Sequence, residues 1–289
     1  MRSLDIWHPS VKGGAMSNIN RILTQVTRFI KDIIKESVNL VIDKIREGDI
    51  AHEDNISADL GARLETLFLK RGKGSIEKLR ARYQISFRYI KTPVGAWETR
   101  VGGMDIIWLI VTKVVKDSTM IYARIKGVKL QAKRCACTNG KLTTNSFGSW
   151  LKKNPNSLWE SCKKMRKRST FSFRNKSIKI GGQGYIIIYT NDYRCGFRVF
   201  SCREIPNSIT CEGLDLARSI PLRKFIGSIV ACKRGSEIIG ISVNPFYEDI
   251  EAASEWLRMF GIGHIYAMQI TIIISEEGIL DRFIRKTPL

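Results

Sequence analysis

Acidic residues, histidines and long apolar runs are all scarce in this 289-residue sequence. It contains 27 Asp and Glu against 48 Lys and Arg, so its formal net charge is +21. An excess of this size exceeds what solubility requires and favours a polyanionic partner, with nucleic acid ahead of an anionic membrane surface. The 44% hydrophobic and 26% charged content is typical of a globular chain rather than a disordered one.

The apolar runs at 106–111 and 270–275 are much shorter than the roughly 18 to 20 residues that span a bilayer. We therefore expect no membrane-spanning helix and no membrane partner. Residues 1–17 include an acid, a histidine, a proline and two glycines. This composition does not suit a secretory signal, so we expect a disordered leader.

The seven cysteines, at 135, 137, 162, 195, 202, 211 and 232, are an odd number in a sequence without a secretory signal. This combination predicts free thiols in a reducing compartment, and hence a cytoplasmic protein. The closest pair has one residue between its members, and the three histidines are widely separated. These spacings disfavour a structural zinc site and a histidine-based triad.

Helical and extended patterns divide the chain into segments. Apolar residues recur at helical spacing over 18–46, and a second helix is predicted over 57–70. Strands rich in β-branched and aromatic residues are predicted afterwards, with a helix ahead of the last one. We divide the chain into a leader (1–17), an N-terminal helical segment (18–54), a core (55–204) and a C-terminal α/β extension (205–289).

Polar residues lie at the ends of two predicted strands, on the side away from the turn at 114–119 that joins them. Asp105 follows two glycines and precedes the apolar strand IIWLIV, and the next strand ends in KLQAKRC. Because alternate residues of a strand share one face, Gln131 and Lys133 are expected to lie together near Asp105. A solvated strand end is the alternative interpretation of this group.

The group has the chemistry of a magnesium site. Mg²⁺ prefers hard oxygen ligands and usually takes one or two carboxylates together with water and substrate phosphate. We expect Asp105, the carbonyl of Ala132 and the side-chain oxygen of Gln131 to bind Mg²⁺, with Mn²⁺ as a substitute. Lys133 is expected to orient the attacking water and to stabilise the charge that develops on the phosphate.

A further acid is expected nearby, because a neutral carboxamide binds Mg²⁺ less well than a carboxylate does. In the helix predicted over 57–70, Glu65 falls on the flank of the apolar stripe. We therefore predict Glu65 as the additional catalytic and metal-binding acid. Glu98, on the loop before Asp105, is the alternative.

The order of these residues resembles that of a known nuclease superfamily. GGMDIIWLIV followed by KLQAKRC looks like the core of the PD-(D/E)xK nucleases, and QAKR is similar to the Mrr-type restriction endonucleases, in which Gln replaces the second acid. The resemblance covers about residues 57–200. It implies an α/β, restriction-endonuclease-like fold in which helices flank a mixed central sheet, here preceded by the N-terminal helical segment. It also implies that Glu65, Asp105, Gln131 and Lys133 are catalytic.

Positive charge is concentrated in the middle of the chain. Between Ser118 and Asn191, sixteen Lys and Arg accompany a single acid, Glu160. Such a block attracts phosphates, although a solvated basic face is the alternative. The residues predicted to bind nucleic acid are Arg134, Lys163, Lys164, Arg166, Lys167, Arg168, Arg174 and Lys176.

These patterns together predict a Mg²⁺-dependent DNA endonuclease of restriction or resolvase type that hydrolyses phosphodiester bonds with metal-activated water. Cleavage of both strands favours a homodimer with the N-terminal helices at its interface. No small-molecule cofactor is expected, because the stretch GGQGY at 181–185 lacks the phosphate-loop pattern and is interpreted as a tight turn. The alternative function is that of a non-catalytic DNA- or RNA-binding accessory protein.

Overall fold

The computed structural model describes residues 13–91, 104–144, 149–173, 176–231, 233–239 and 262–274. Of the candidate site residues, Glu98 and Arg174 lie outside these ranges, and so do the two glycines before Met104. The predicted leader is described from Gly13 onwards, where it is already helical.

Five helices and thirteen strands occur within the described ranges. The helices are α1 (Gly13–Glu47), α2 (Glu53–Arg71), α3 (Ser149–Lys153), α4 (Ser157–Met165) and α5 (Leu222–Val230). The strands are β1 (Lys73–Ile76), β2 (Ala81–Lys91), β3 (Ile106–Lys116), β4 (Thr119–Arg134), β5 (Ala136–Thr138), β6 (Lys141–Thr143), β7 (Ser169–Phe173), β8 (Lys176–Ile180), β9 (Gly184–Tyr189), β10 (Arg198–Ser201), β11 (Ile220–Pro221), β12 (Ser236–Ile239) and β13 (His264–Ile274).

Helix α1 buries the apolar stripe that the sequence predicts. Ile22, Val26 and Ile30 are fully buried, because the stripe packs within the chain against α2, α5 and the sheet. An interface between two copies through these helices would therefore have to use the faces that this stripe does not occupy. The homodimer itself stays a prediction.

Eleven of the described strands form one mixed sheet. Its main path runs β1-β2-β13-β3-β4; β4 then pairs with β9 and with β12 along different parts of its length. Strand β3 is antiparallel to β4, and β4 is parallel to β9. The predicted α/β class, with a large mixed sheet, flanking helices and an N-terminal helix, is confirmed at this level.

Strand β13 lies in the middle of this sheet. It pairs with β2 on one side and runs parallel to β3 on the other, from His264 opposite Ile106 to Ile274 opposite Lys116. Its residues, and those of α5, belong to the segment 205–289 that the sequence analysis set apart as an extension. The boundary after residue 204 therefore does not separate two structural units.

Two apolar cores cover the two faces of the sheet. One lies between the sheet and helices α1, α2 and α5, and it contains Trp108. The other includes residues of α4 and of the segment 195–214, and it contains Ile107 and Leu109. Successive residues of β3 are buried on opposite faces of the sheet. The sequence of this strand is therefore a continuous apolar run rather than an alternating one.

Six of the seven cysteines are paired as disulfides, so the prediction of free thiols is wrong for them. The pairs are Cys135–Cys211, Cys137–Cys195 and Cys162–Cys202, which are 76, 58 and 40 residues apart. They tie the segment 195–211 to the end of β4, to β5 and to α4. Cys232 lies outside the described residues.

The disulfides remove the basis on which a cytoplasmic location was predicted, because such bonds persist mainly in oxidising compartments. The location itself stays a prediction. Among the described residues, the helices are too short or too polar for any of them to cross a membrane.

We expect alkylation of the denatured, unreduced protein to label one cysteine, and alkylation after reduction to label seven. The reason is that six thiols are consumed by the three pairs. Intact-mass spectrometry counts the labels, and a Cys232→Ser variant is the control that should take up none before reduction. Seven labels on the unreduced wild type would contradict the pairing.

Candidate active site

Asp105 lies immediately before β3, and sheet pairing continues through its backbone. Its N–H donates to the carbonyl of Leu130 at 3.0 Å, and its own carbonyl accepts from the N–H of His264 at 2.9 Å. Since Ile106 is the register partner of Leu130, Asp105 is the residue opposite Gln131. The backbone of three neighbouring strands thus fixes Asp105 at the end of the sheet.

The Asp105 carboxylate is held by hydrogen bonds from β4. Its Oδ2 accepts from the N–H of Ala132 at 2.9 Å and from the side-chain amide of Gln131. The N–H and C=O of one extended residue point to the same side of the strand, so the Ala132 carbonyl also faces the end of β3. The structure therefore brings together Asp105, Gln131 and Ala132, three of the residues predicted to bind metal.

Lys133 lies two residues after Gln131, so both side chains are on the same face of β4. Lys133 is 8% exposed. Its Nζ is 3.0 Å from Oε2 of Glu53, and Oε1 of Glu53 accepts from the N–H of Arg134 at 3.2 Å. Glu53 is the first residue of α2. The helix thus begins at the end of β4 and contributes a second carboxylate there.

Glu65, predicted as the additional acid, is not brought to this group. At 1.5 Å per residue it lies about 18 Å from Glu53 along the axis of α2. Its Oε1 accepts instead from the N–H of Tyr89 in β2 at 3.4 Å. The acid that helix α2 contributes is Glu53, which was not predicted because it lies outside the helix expected over 57–70, whereas α2 begins at Glu53.

Buried hydroxyl groups hold the start of α2 against the sheet. Ser57, one turn after Glu53, has its hydroxyl 2.8 Å from that of Tyr189, and its carbonyl accepts from the hydroxyl of Tyr266 at 2.6 Å. Burial raises the pKa of Tyr189, and the charges of Asp105 and Glu53 raise it further. Both carboxylates therefore lie close enough to act on the same phenol.

Asp54, next to Glu53, links the first turn of α2 to two strands. Its Oδ1 is 2.9 Å from Nε2 of His264, and its Oδ2 accepts from Lys91 at 2.5 Å. Nδ1 of His264 is 2.8 Å from the hydroxyl of Tyr89. Burial opposes the charge on Asp54, but the bonds to Lys91 and His264 prevail and its pKa is lowered. These contacts orient the turn that carries Glu53.

The residues predicted to bind nucleic acid are spread over the structure. Arg134 ends β4, and its guanidinium donates to the carbonyl of Ala51. Arg166 lies 4.8 Å over the ring of Trp159 and donates to the carbonyl of Cys202 at 3.0 Å. Lys176 is placed by its backbone in β8. The remaining described ones are exposed at and after the end of α4: Lys163, Lys164, Lys167 and Arg168.

The basic end of α4 lies beside the strand that carries the site. Lys129, Gln131 and Lys133 alternate along one face of β4, and Nζ of Lys129 donates to the carbonyl of Lys167 at 2.6 Å. Lys129 is fully buried, and burial lowers its pKa to about 8. The exposed cations around Lys167 are thus anchored on the same face of the sheet as Gln131.

The oxygen donors at the end of β3 fit a hard cation. In the part of the chain that the structure describes, no three His, Cys, Asp or Glu side chains form a metal-holding group. Mg²⁺, however, usually keeps several waters and takes one or two protein carboxylates. The Asp105 carboxylate matches that pattern with the Ala132 backbone beside it, whereas the Gln131 amide contacts Asp105 through its N–H.

We expect the free energy of unfolding to fall as the pH is lowered through about 6.5, because of His264. Burial lowers the pKa of His264 below its ordinary 6.5, although Asp54 opposes this. The unfolded chain therefore binds the proton first, so the stability is present above this pH and is lost below it. Urea unfolding at pH values about one unit on either side measures the change.

The matched controls for this pH dependence are two histidine variants. His264→Gln should lose this part of the dependence, whereas His52→Gln, at an exposed position, should keep it. An unchanged pH dependence in His264→Gln would show that another group is responsible.

Comparisons with known proteins identify no relative of this chain. No family model, no curated protein and no solved structure matches this chain. The resemblance to the PD-(D/E)xK nucleases thus rests on the motif residues and on the order of the elements that carry them.

Proposed function

We propose that this protein is a metal-dependent endonuclease that hydrolyses the phosphodiester backbone of DNA, with a restriction-endonuclease-like core. The observation that carries the proposal is the convergence of the Asp105 carboxylate, the Gln131 amide and the Ala132 backbone, with the Lys133–Glu53 ion pair adjacent. The resemblance implies a helix, a strand that follows the Asp, the QxK strand, a second helix and a further strand, and α2, β3, β4, α4 and β9 follow one another in that order.

Asp105, Gln131 and Ala132 would hold the ion. A Mg²⁺ ion bound there supplies a Lewis acid for the scissile phosphate and for the attacking water. The backbone pairing of residue 105 with β4 and β13 positions the carboxylate before any ligand arrives. Gln131 donates its amide N–H to Asp105, and a half-turn of the carboxamide would direct its oxygen to the same side.

Lys133 supplies a preorganised positive charge. Its ammonium is almost fully buried and is held by Glu53, so little reorganisation is needed when negative charge develops on the phosphate. It can donate to a phosphate oxygen or to the attacking water. Glu53 keeps the ammonium aligned with the strand end, and the Asp54 and Ser57 contacts hold Glu53 in place.

The exposed cations after α4 would contact the DNA backbone. Lys167 and its neighbours lie on the face of β4 that carries Gln131, since the Lys167 carbonyl accepts from Lys129. Contacts between cations and phosphates bind DNA without reading its sequence, so they position the backbone rather than select a site. A homodimer with two such sites would cut both strands.

We expect the wild type to nick or linearise supercoiled plasmid with Mg²⁺ or Mn²⁺. Asp105→Asn and Lys133→Met should slow cleavage by about 100-fold or more, because each removes charge from the reacting centre. Gel electrophoresis of time courses gives the rates, and circular dichroism checks that the variants fold. A wild type that binds DNA but cuts no form of it would favour the accessory-protein alternative.

The two candidate acids of α2 provide a matched comparison, because Glu53→Gln and Glu65→Gln are the same change in the same helix. We expect Glu53→Gln to slow cleavage by at least about 10-fold, since Lys133 loses its partner. Glu65→Gln should cleave at the rate of the wild type. A loss confined to Glu65→Gln would contradict the site described above.

Duplex binding should weaken steeply as salt increases. Anisotropy titrations of the inactive Asp105→Asn variant should give a log–log slope of about −0.9 per neutralised phosphate. Lys167→Gln combined with Arg168→Gln should make the slope shallower by about 1 to 2. The control with the same loss of charge, Lys70→Gln at the far end of α2 with Lys73→Gln at the start of β1, should keep the slope. An affinity indifferent to salt would contradict the electrostatic role.

A further inference from the structure

A cavity of about 440 Å³ lies at the start of β9. It is bounded by Gly182 and Gly184 before and at the start of β9, by Ser201 at the end of β10 and by Ser228 of α5. Strand β9 runs from Gly184 to Tyr189, which pairs with Arg134. Gln131 of the proposed nuclease site pairs with Ile186, so at about 3.3 Å per residue its register position lies roughly 7 Å along β9 from Gly184.

The charge around the cavity is of one sign. Arg166, Arg203, Lys233 and Arg234 line it, and among its described lining residues there is no Asp or Glu. These four cations come from three separate segments of the chain. Folding brings them to the same cavity although like charges repel one another. A cleft lined by one sign of charge attracts the opposite sign. The ligand that suits this cavity is therefore an anion.

The cationic groups are positioned by the surrounding structure. Arg166 is held by stacking on Trp159 and by its bonds to the Cys202 carbonyl, which occupy two of its three nitrogens. The Ser228 carbonyl accepts from the backbone N–H groups of Lys233 and Arg234, at 2.8 and 3.2 Å. Both of these residues are thereby fixed to the end of α5.

Neutral hydrogen-bonding groups lie among these charges. The hydroxyl of Tyr185 donates to the side-chain oxygen of Gln183 at 3.3 Å and also interacts with Arg234. Ser201 and Ser228 contribute further hydroxyl groups to the lining. Guanidinium groups with hydroxyls around them are the donors that bind phosphate oxygens in proteins.

The glycines of GGQG have a packing role at the cavity wall. A Cβ on Gly182 would lie 2.1 Å from the carbonyl oxygen of Arg166, and one on Gly184 would lie 2.3 Å from Cβ of Met165. Larger residues are therefore excluded, and the turn packs tightly on the end of α4. The tight turn expected from the sequence thus also forms part of the cavity wall.

We propose that this cavity binds a phosphate monoester, either on a small molecule such as a nucleotide or at the end of a nucleic-acid strand. The volume lies within the usual range for small-ligand pockets, about 300 to 1,000 Å³. A phosphate monoester carries about two negative charges at neutral pH, which suits four cations without an acid. This site does not depend on the proposed nuclease activity.

The test is isothermal titration calorimetry in EDTA with four probes: AMP, adenosine, and a trinucleotide with and without a 5′-phosphate. We expect a phosphorylated probe to bind at least about 10-fold more tightly than its unphosphorylated counterpart, because hydrogen bonds to a charged group are the strong ones. Arg203→Gln with Arg234→Gln should weaken that binding by about 10-fold or more. Lys70→Gln with Lys73→Gln, which removes the same charge elsewhere, should change it by less than about two-fold.

Binding of AMP would assign the site to small phosphorylated molecules, and binding of the 5′-phosphorylated trinucleotide alone would assign it to strand ends; both support the proposal. Equal affinity for phosphorylated and unphosphorylated probes, or equal losses in both double variants, would overturn it. Since the assay contains no divalent ion and measures no cleavage, its failure would leave the proposed nuclease function untouched.

Discussion

The register between β3 and β4 is the constraint on which the rest of the site depends. Leu130 pairs with Ile106, so Gln131 lies opposite Asp105 and Lys133 follows on the same face. A slip of one residue would turn Gln131 and Lys133 to the other face of the sheet. Both faces of β3 are buried in apolar cores, and such a slip would disrupt both of them. Hydrophobic burial therefore enforces the register, and the polar cluster follows from it.

Elements distant in sequence enclose the end of β4. The first turn of α2 reaches it through Glu53, whose position is secured by Asp54 and by Ser57. On the other side, the disulfide of Cys135 ties the residue directly after β4 to Cys211. A site that must hold charged groups in fixed relation benefits from such anchoring, because misplacement by about 1 Å is costly for catalysis. The cavity proposed to bind phosphate lies at the start of β9, and its lining includes none of Asp105, Lys133 and Glu53.

Local sequence patterns predicted the hairpin of β3 and β4 with its polar end, because alternation and apolar runs are properties of neighbouring residues. Glu53 escaped prediction since acids in the first turn of a helix are common for electrostatic reasons, so its presence carried no special signal. The central position of β13 depends on pairings such as His264 with Ile106, which no local pattern encodes. The disulfides likewise join cysteines that only the folded chain brings together. The charge block was visible in the sequence, whereas the gathering of Arg203 and Arg234 with Arg166 was not.

The central claim is that Asp105, Gln131 and Ala132 hold a divalent ion, and counting bound Mn²⁺ by electron paramagnetic resonance tests it most directly. The account predicts a Mn²⁺ site in each wild-type chain, weakened by about 10-fold or more in Asp105→Asn and unchanged in Glu65→Gln. A wild type that binds no Mn²⁺ at millimolar concentration, or an Asp105→Asn variant that binds it equally well, would contradict the account.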